Sequence, residues 1–121
     1  MPLRLYHLVI DAHDPWMLAR FWAAVLEQDI LEEDEEGAIV GADDRAYPGL
    51  CFLCVPEGKT TKNRLHIDLD PDDRDTEVER VLGLGATRVD VGQGPEVTWE
   101  VLADPEGNEF CVLAPRRTLI S

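Results

Sequence analysis

Two of the three histidines stand 59 residues apart, and the same offset superposes other polar residues. His7 falls on His66, Asp11 on Asp70 and Asp14 on Asp73. Neutral imidazoles on neighbouring strands can chelate zinc, iron, nickel or manganese. A lone strand histidine is more commonly packed or simply exposed, so the repetition is what gives the pair weight. Asp68 and Glu100 are strand carboxylates. Burial that lifts such a group toward neutral pH makes it a proton carrier, whereas a solvated strand carboxylate has no such role. Cys51 and Cys54 have CxxC spacing. In the strand-like run 50–55 a separation of three puts them on opposite faces, so they read as small packing residues rather than a redox or zinc motif. No Ser-His-Asp arrangement, phosphate-binding glycine loop or dinucleotide fingerprint occurs, and Gly92-Gln93-Gly94-Pro95 is a turn.

The elements that must position these residues come in the same order twice. Residues 3–12 alternate and are rich in β-formers, which predicts a strand with His7 sharing a face with Leu5 and Val9. Tyr6, Leu8 and Ile10 are then expected against a helix. Asp14-Pro15 supplies an N-cap and a proline at the first helical position, and Leu18, Phe21, Trp22 and Val25 follow at helical spacing to about Gln28. Strands are predicted over 30–33, 38–42 and 50–55, punctuated by Gly37, the 41–44 stretch and Pro48-Gly49.

The second half repeats the plan. A strand over 64–70 places His66, Asp68 and Asp70 on one face and Leu65, Ile67 and Leu69 on the other. Pro71-Asp72-Asp73 opens a helix with an acidic first turn and a stripe of Val78, Val81 and Leu82, stopped by Gly85. Strands are predicted over 87–91, 97–103 and 109–113, the last two joined by Asp104-Pro105-Glu106-Gly107-Asn108. This divides the chain into a module over 1–56, a charged connector over 57–63 and a module over 64–121. Phe52 and Phe110 are expected to pack against the helices, as is Trp22, with Trp16 at the helix entrance and Trp99 facing a pocket or a subunit seam.

Composition narrows the function classes. With 45% hydrophobic residues in 121, the chain can bury a core and fits one small domain. Its net charge of −14 repels phosphate backbones and anionic lipid, which argues against nucleic-acid and membrane partners. No apolar run approaches the roughly 20 residues of a membrane helix. The N-terminus lacks a signal-peptide pattern, and three cysteines do not make a disulfide framework. A cytoplasmic location is the expectation.

His7 in the opening strand, Phe21-Trp22, Leu65-His66-Ile67-Asp68, Leu82-Gly83-Leu84-Gly85-Ala86 and the Asp104-Pro105-Glu106-Gly107-Asn108 turn together resemble glyoxalase-like and bleomycin-resistance-like members of the vicinal-oxygen-chelate superfamily. The resemblance covers nearly the whole chain. It implies an α+β fold of two tandem βαβββ modules forming a curled eight-stranded mixed sheet, a cup, with a helix covering each module, usually as a homodimer. It also implies a small-molecule ligand or substrate, either with one divalent metal (Fe, Mn, Ni or Zn) polarising adjacent oxygens or with no metal.

In that family the metal ligands lie on the first and last strands of each module, which the resemblance maps to His7, Leu53, His66 and Cys111. Leu53 cannot ligate. Cys111 stands where metal-dependent relatives have a glutamate, seven residues after Asp104. Three readings stay open: Glu109 joins His7 and His66, Cys111 supplies a thiolate suited to zinc, or there is no metal and Cys111 is a small buried residue. With a metal, a lyase, isomerase or dioxygenase-type reaction follows, with Asp68 or Glu100 carrying a proton. Without one, the protein binds or sequesters a drug or metabolite in a pocket lined by Leu53 and Trp99.

Overall fold

The computed structural model describes residues 3–89 and 98–120. The chain divides into two compact units, Met1–Lys59 and Thr60–Ser121, and the division falls inside the 57–63 segment. Each unit is a βαβββ module with one four-stranded mixed sheet and one helix, so the α+β architecture is the one the sequence implies.

The first unit runs β1 (His7–Ala12), α1 (Pro15–Leu26), β2 (Asp29–Glu33), β3 (Gly37–Gly41) and β4 (Gly49–Cys54). Strand order is β1-β4-β3-β2, with β1 parallel to β4 and the other pairs antiparallel. The parallel pair follows from the helical crossover between the first and second strands. Asp14 caps α1 by accepting from the Met17 amide at 3.1 Å, and Pro15 fills a position whose N–H would be unpaired anyway. Leu18, Ala19, Phe21, Trp22 and Val25 are buried, with Phe21 and Trp22 edge to face at 5.3 Å. Phe52 is wholly buried beneath them in β4. Gly37 permits the close approach of β3 to β4, since a Cβ there would overlap the Phe52 carbonyl oxygen.

The second unit runs β5 (Ile67–Leu69), α2 (Arg74–Leu84), β6 (Thr87–Arg88), β7 (Glu100–Ala103) and β8 (Glu109–Val112). Its order, β5-β8-β7-β6, repeats the first, with β5 parallel to β8. Asp73 caps α2 through the Thr76 amide and hydroxyl, and these two bonds hold its carboxyl below the ordinary range. Gly85 ends the helix at φ +123°, where a side chain would be strained. The core is Val78, Val81, Leu102, Phe110 and Val112. Asp104, only 4% exposed, builds the β7–β8 turn: it accepts from the amides of Glu106 (3.0 Å) and Asn108 (2.9 Å) and from the Asn108 side chain (3.1 Å).

Three expectations change. The strand predicted over 64–70 forms only over Ile67–Leu69, and Leu65 is 77% exposed rather than packed. Tyr6 does not meet a helix; it is exposed, with its ring against His7 and edge-on to Tyr47. The predicted 87–91 and 97–103 strands are seen as Thr87–Arg88 and Glu100–Ala103, and the parts over 90–97, including the Gly92–Pro95 turn, lie outside the described residues.

The 59-residue offset holds for the helix caps, Asp14 and Asp73, but not for the strands. In β1–β4, Ile10 pairs with Phe52, and in β5–β8, Ile67 pairs with Phe110. The bond closing each pair agrees, Val55 N–H to Ala12 and Leu113 N–H to Leu69. The register counterpart of His66 is therefore Val9, and that of His7 is Arg64. One residue separates β1 from its helix cap, whereas Asp70-Pro71-Asp72 separates β5 from its own. Those two extra residues shift the strand register against the helix.

Candidate functional site

The second unit carries a cavity of about 1040 Å³ over one face of its sheet. Alternation decides which side chains reach it. Val101 and Cys111 are direct neighbours in β7–β8, as are Asp68 and Cys111 in β5–β8. Asp68, Val101 and Cys111 therefore share a face, and Glu109 joins them two residues along β8. Leu102, Phe110 and Val112 point the other way into the core. His66, immediately before β5, Trp99, immediately before β7, and Leu113, immediately after β8, complete the floor.

The wall is formed by the segment after β8, through Arg116 to Leu119. It is tied to β5 where the Arg116 amide donates to Asp70 at 2.7 Å. Nothing in the sequence signalled this role, because residues beyond the last strand carry no pattern of their own.

On the floor, His66, Asp68 and Cys111 come together, each with a possible ligand atom within 4.8 Å of the others. His66 Nε2 lies 3.3 Å from Asp68 Oδ1. Cys111 is buried, and its thiol donates to Asp68. Its pKa is raised above the ordinary thiol value first by burial, then by the Asp68 charge and that hydrogen bond, then by Glu109; Lys62 opposes the shift. In the first unit burial likewise raises the Cys51 thiol, helped by Asp34. Cys54, on the opposite face of β4, is exposed.

The predicted site residues are thus sorted. Asp68, expected to carry a proton, lies beside His66 and Cys111, with which it could also hold a metal ion. Glu109 faces the cavity, but its carboxylate is engaged by Lys62 at 3.1 Å and does not join His66. Glu100 alternates to the other side of β7, opposite Val112, and pairs with Arg88 at 3.2 Å, so it is not on the cavity face. Trp99 lines the cavity and is partly exposed. In the first unit His7 opens β1, half-buried, with its ring 4.0 Å from that of Tyr6. Leu53 sits opposite Asp11 in β4 and offers no donor. Among the described residues no group of three possible ligands forms around His7 within its own unit.

The donor set of the second unit fits a divalent cation. Zinc bonds of about 2.0–2.3 Å in a tetrahedral centre set donors about 3.4 Å apart, which the His66–Asp68 spacing already meets. An imidazole, a carboxylate and a thiolate are also a donor mix that zinc accepts.

The fold has many solved relatives. A glyoxalase/bleomycin resistance protein/dioxygenase family enzyme from Burkholderia phytofirmans PsJN is 18% identical, with a TM-score of 0.73 over 94% of this chain and 100% of that one. TnmS3, an antibiotic binding protein from Streptomyces sp. CB03234, is 18% identical, with a TM-score of 0.64 over 96% and 99%. The trypanothione-dependent glyoxalase I of Leishmania major is 16% identical, with a TM-score of 0.66 over 93% and 86%. At such identities the likeness shows the fold alone. No curated protein sequence matches the chain. The sequence profile of the glyoxalase-like domain does, over residues 7–113, and with all of its described strands and both helices inside that span the chain belongs to the glyoxalase-like domain family.

Proposed function

We propose that the protein binds a small, largely apolar organic molecule in the second-unit cavity. The observation that carries this reading is the composition of the cavity floor. Trp99, Val101 and Leu113 give it apolar area, while His66 and Asp68 stand at one edge to orient a polar group. The antibiotic binding protein TnmS3 has the same fold, which is consistent with a binding role. The net charge of −14 supports a protein that acts apart from nucleic acid and membrane. A cytoplasmic homodimer is the form we take for it.

The experiment is a ligand-detected NMR screen of small aromatic molecules, followed by titration of the isotope-labelled protein. Hits should move the Trp99 indole resonance and leave that of Trp22, which is buried in the first unit's core. Hits that move Trp16 or Trp22 and leave Trp99 unchanged would place the ligand elsewhere.

A second reading, metal-assisted lyase, isomerase or dioxygenase-type chemistry, is favoured by the His66, Asp68 and Cys111 group. A bound cation would act there as a Lewis acid toward adjacent substrate oxygens. The chain's own part is to hold the substrate against Trp99 and Val101. Glu109, fixed by Lys62, and Asp70, which accepts from the Arg116 amide, are cavity carboxylates outside the ligand group.

A further inference from the structure

We infer that the cavity of the second unit selects small aromatic anions, carboxylates first, by holding the charged group at Arg116 and Arg117. The inference rests on the organic-ligand reading above and adds to it the charge class of the ligand.

The wall concentrates cations on an acidic chain. Among the described residues around the cavity, Lys62, Arg116 and Arg117 are three of the chain's 11 basic residues, whereas Asp68, Asp70 and Glu109 are three of its 25 acidic ones. Arg116-Arg117 is also the one place in the sequence where two basic residues are adjacent. The net charge of −14 acts weakly here, because salt screens exposed charges beyond about 8 Å at physiological ionic strength.

The backbone holds the pair in place. Ala114-Pro115 leads out of β8, and the proline ring fixes its own φ and biases Ala114 toward extended backbone. The Arg116 amide then bonds to Asp70 at 2.7 Å, which pins this segment beside the end of β5. Both arginines line the cavity, and both are exposed. A guanidinium has more N–H donors than a single partner occupies, so one engaged within the protein still offers some to a ligand. Its planar fork matches the two oxygens of a carboxylate.

The carboxylates of the cavity set the ligand's orientation. Glu109 is met by Lys62, Asp70 by the Arg116 amide, and Asp68 by His66 and the Cys111 thiol. A cationic ligand thus finds each of the three already taken by a donor. Asp68 repels a second anion on the floor, so an anionic ligand places its charge at the wall and its ring over Trp99, Val101 and Leu113.

The test titrates the isotope-labelled protein at pH 7.5 with 2-naphthoate, its primary amide and 2-naphthylmethylamine, following the Trp99 indole resonance. The carboxylate should bind at least about tenfold more tightly than the amide, since hydrogen bonds between charged groups are the stronger ones. The amine should bind more weakly than either. Arg116→Gln combined with Arg117→Gln should bring the carboxylate down to the affinity of the amide and leave the amide's own affinity unchanged. Arg88→Gln, which removes one cation from the opposite face of the sheet, should preserve the preference. Circular dichroism checks folding, and Arg117→Gln is read by itself, with the same direction expected, if the double variant unfolds. Equal affinity for carboxylate and amide, tightest binding of the amine, or a preference that survives loss of both arginines overturns the inference. In those cases Trp99 shifts with the three compounds keep the organic-ligand reading standing, whereas absence of any Trp99 shift overturns both.

Discussion

Asp68 and Cys111 are nearest neighbours across the parallel β5–β8 pair, and the Cys111 thiol donates a hydrogen bond to the Asp68 carboxylate. Burial first, then the Asp68 charge and this hydrogen bond, favour the protonated sulfur. The bond also fixes the orientation of the carboxylate, whose other near partner is the His66 imidazole at 3.3 Å. One strand register therefore decides the chemical state of the cavity floor.

The first consequence concerns thiol reactivity. Alkylation proceeds through the thiolate, so buried thiols with raised pKa values react slowly. Iodoacetamide at pH 7.5 should modify the exposed Cys54 and spare Cys51 and Cys111, with mass spectrometry reading the sites. Asp68→Asn removes the charge that helps hold the Cys111 proton and leaves only a neutral amide acceptor, so the pH at which Cys111 begins to react should fall. The linkage has a definite sign. A thiol whose folded pKa lies above the unfolded value stabilises the fold fully below the unfolded value, and that contribution is lost as pH rises through the folded one. Stability should thus decline on the alkaline side of pH 9.

Lys62 and Glu109 test how far an ion pair at the cavity edge matters. The lysine side chain is 74% exposed, so solvent screening leaves the pair worth at most about 1 kcal/mol. Lys62→Met should shift the urea midpoint little. Its clearer effect is electrostatic: removing the one neighbouring cation that lowers the Cys111 pKa should raise the onset pH for alkylation of that cysteine.

The Asp104 turn sets the β7–β8 register and hence the position of Cys111 opposite Val101. Asp104→Ala removes the acceptor for two backbone amides and the Asn108 side chain at a buried site. A loss of about 2–3 kcal/mol in urea denaturation is expected, since hydrogen bonds to a charged group contribute more than neutral ones.

Much of this fold was legible because its helices announce themselves locally. Asp14-Pro15 with the Leu18, Phe21, Trp22 and Val25 stripe, and Asp73 with Val78, Val81 and Gly85, read directly as caps, faces and stops. The caps also dominated the internal alignment, and this is why His7 and His66 looked equivalent. The strands follow a different register, because Asp70-Pro71-Asp72 lengthens the β5 connection. Alternation correctly grouped His66 with Asp68 on one face. That Cys111 faces Asp68, and that Lys62 claims Glu109, depends on contacts more than forty residues apart in sequence, which no local spacing encodes. Glu100 was misplaced for a related reason: its face follows from its pairing with Val112.

The second-unit cavity is the place we propose for ligand binding. The most direct test is calorimetric titration of the best aromatic hit into the wild type and Trp99→Ala. Trp99 is partly exposed, so its removal should leave the fold intact while deleting the largest apolar surface of the cavity floor. The account predicts one site in the unit and at least about tenfold weaker binding in the variant. Equal affinity for both proteins, with both folded, contradicts it.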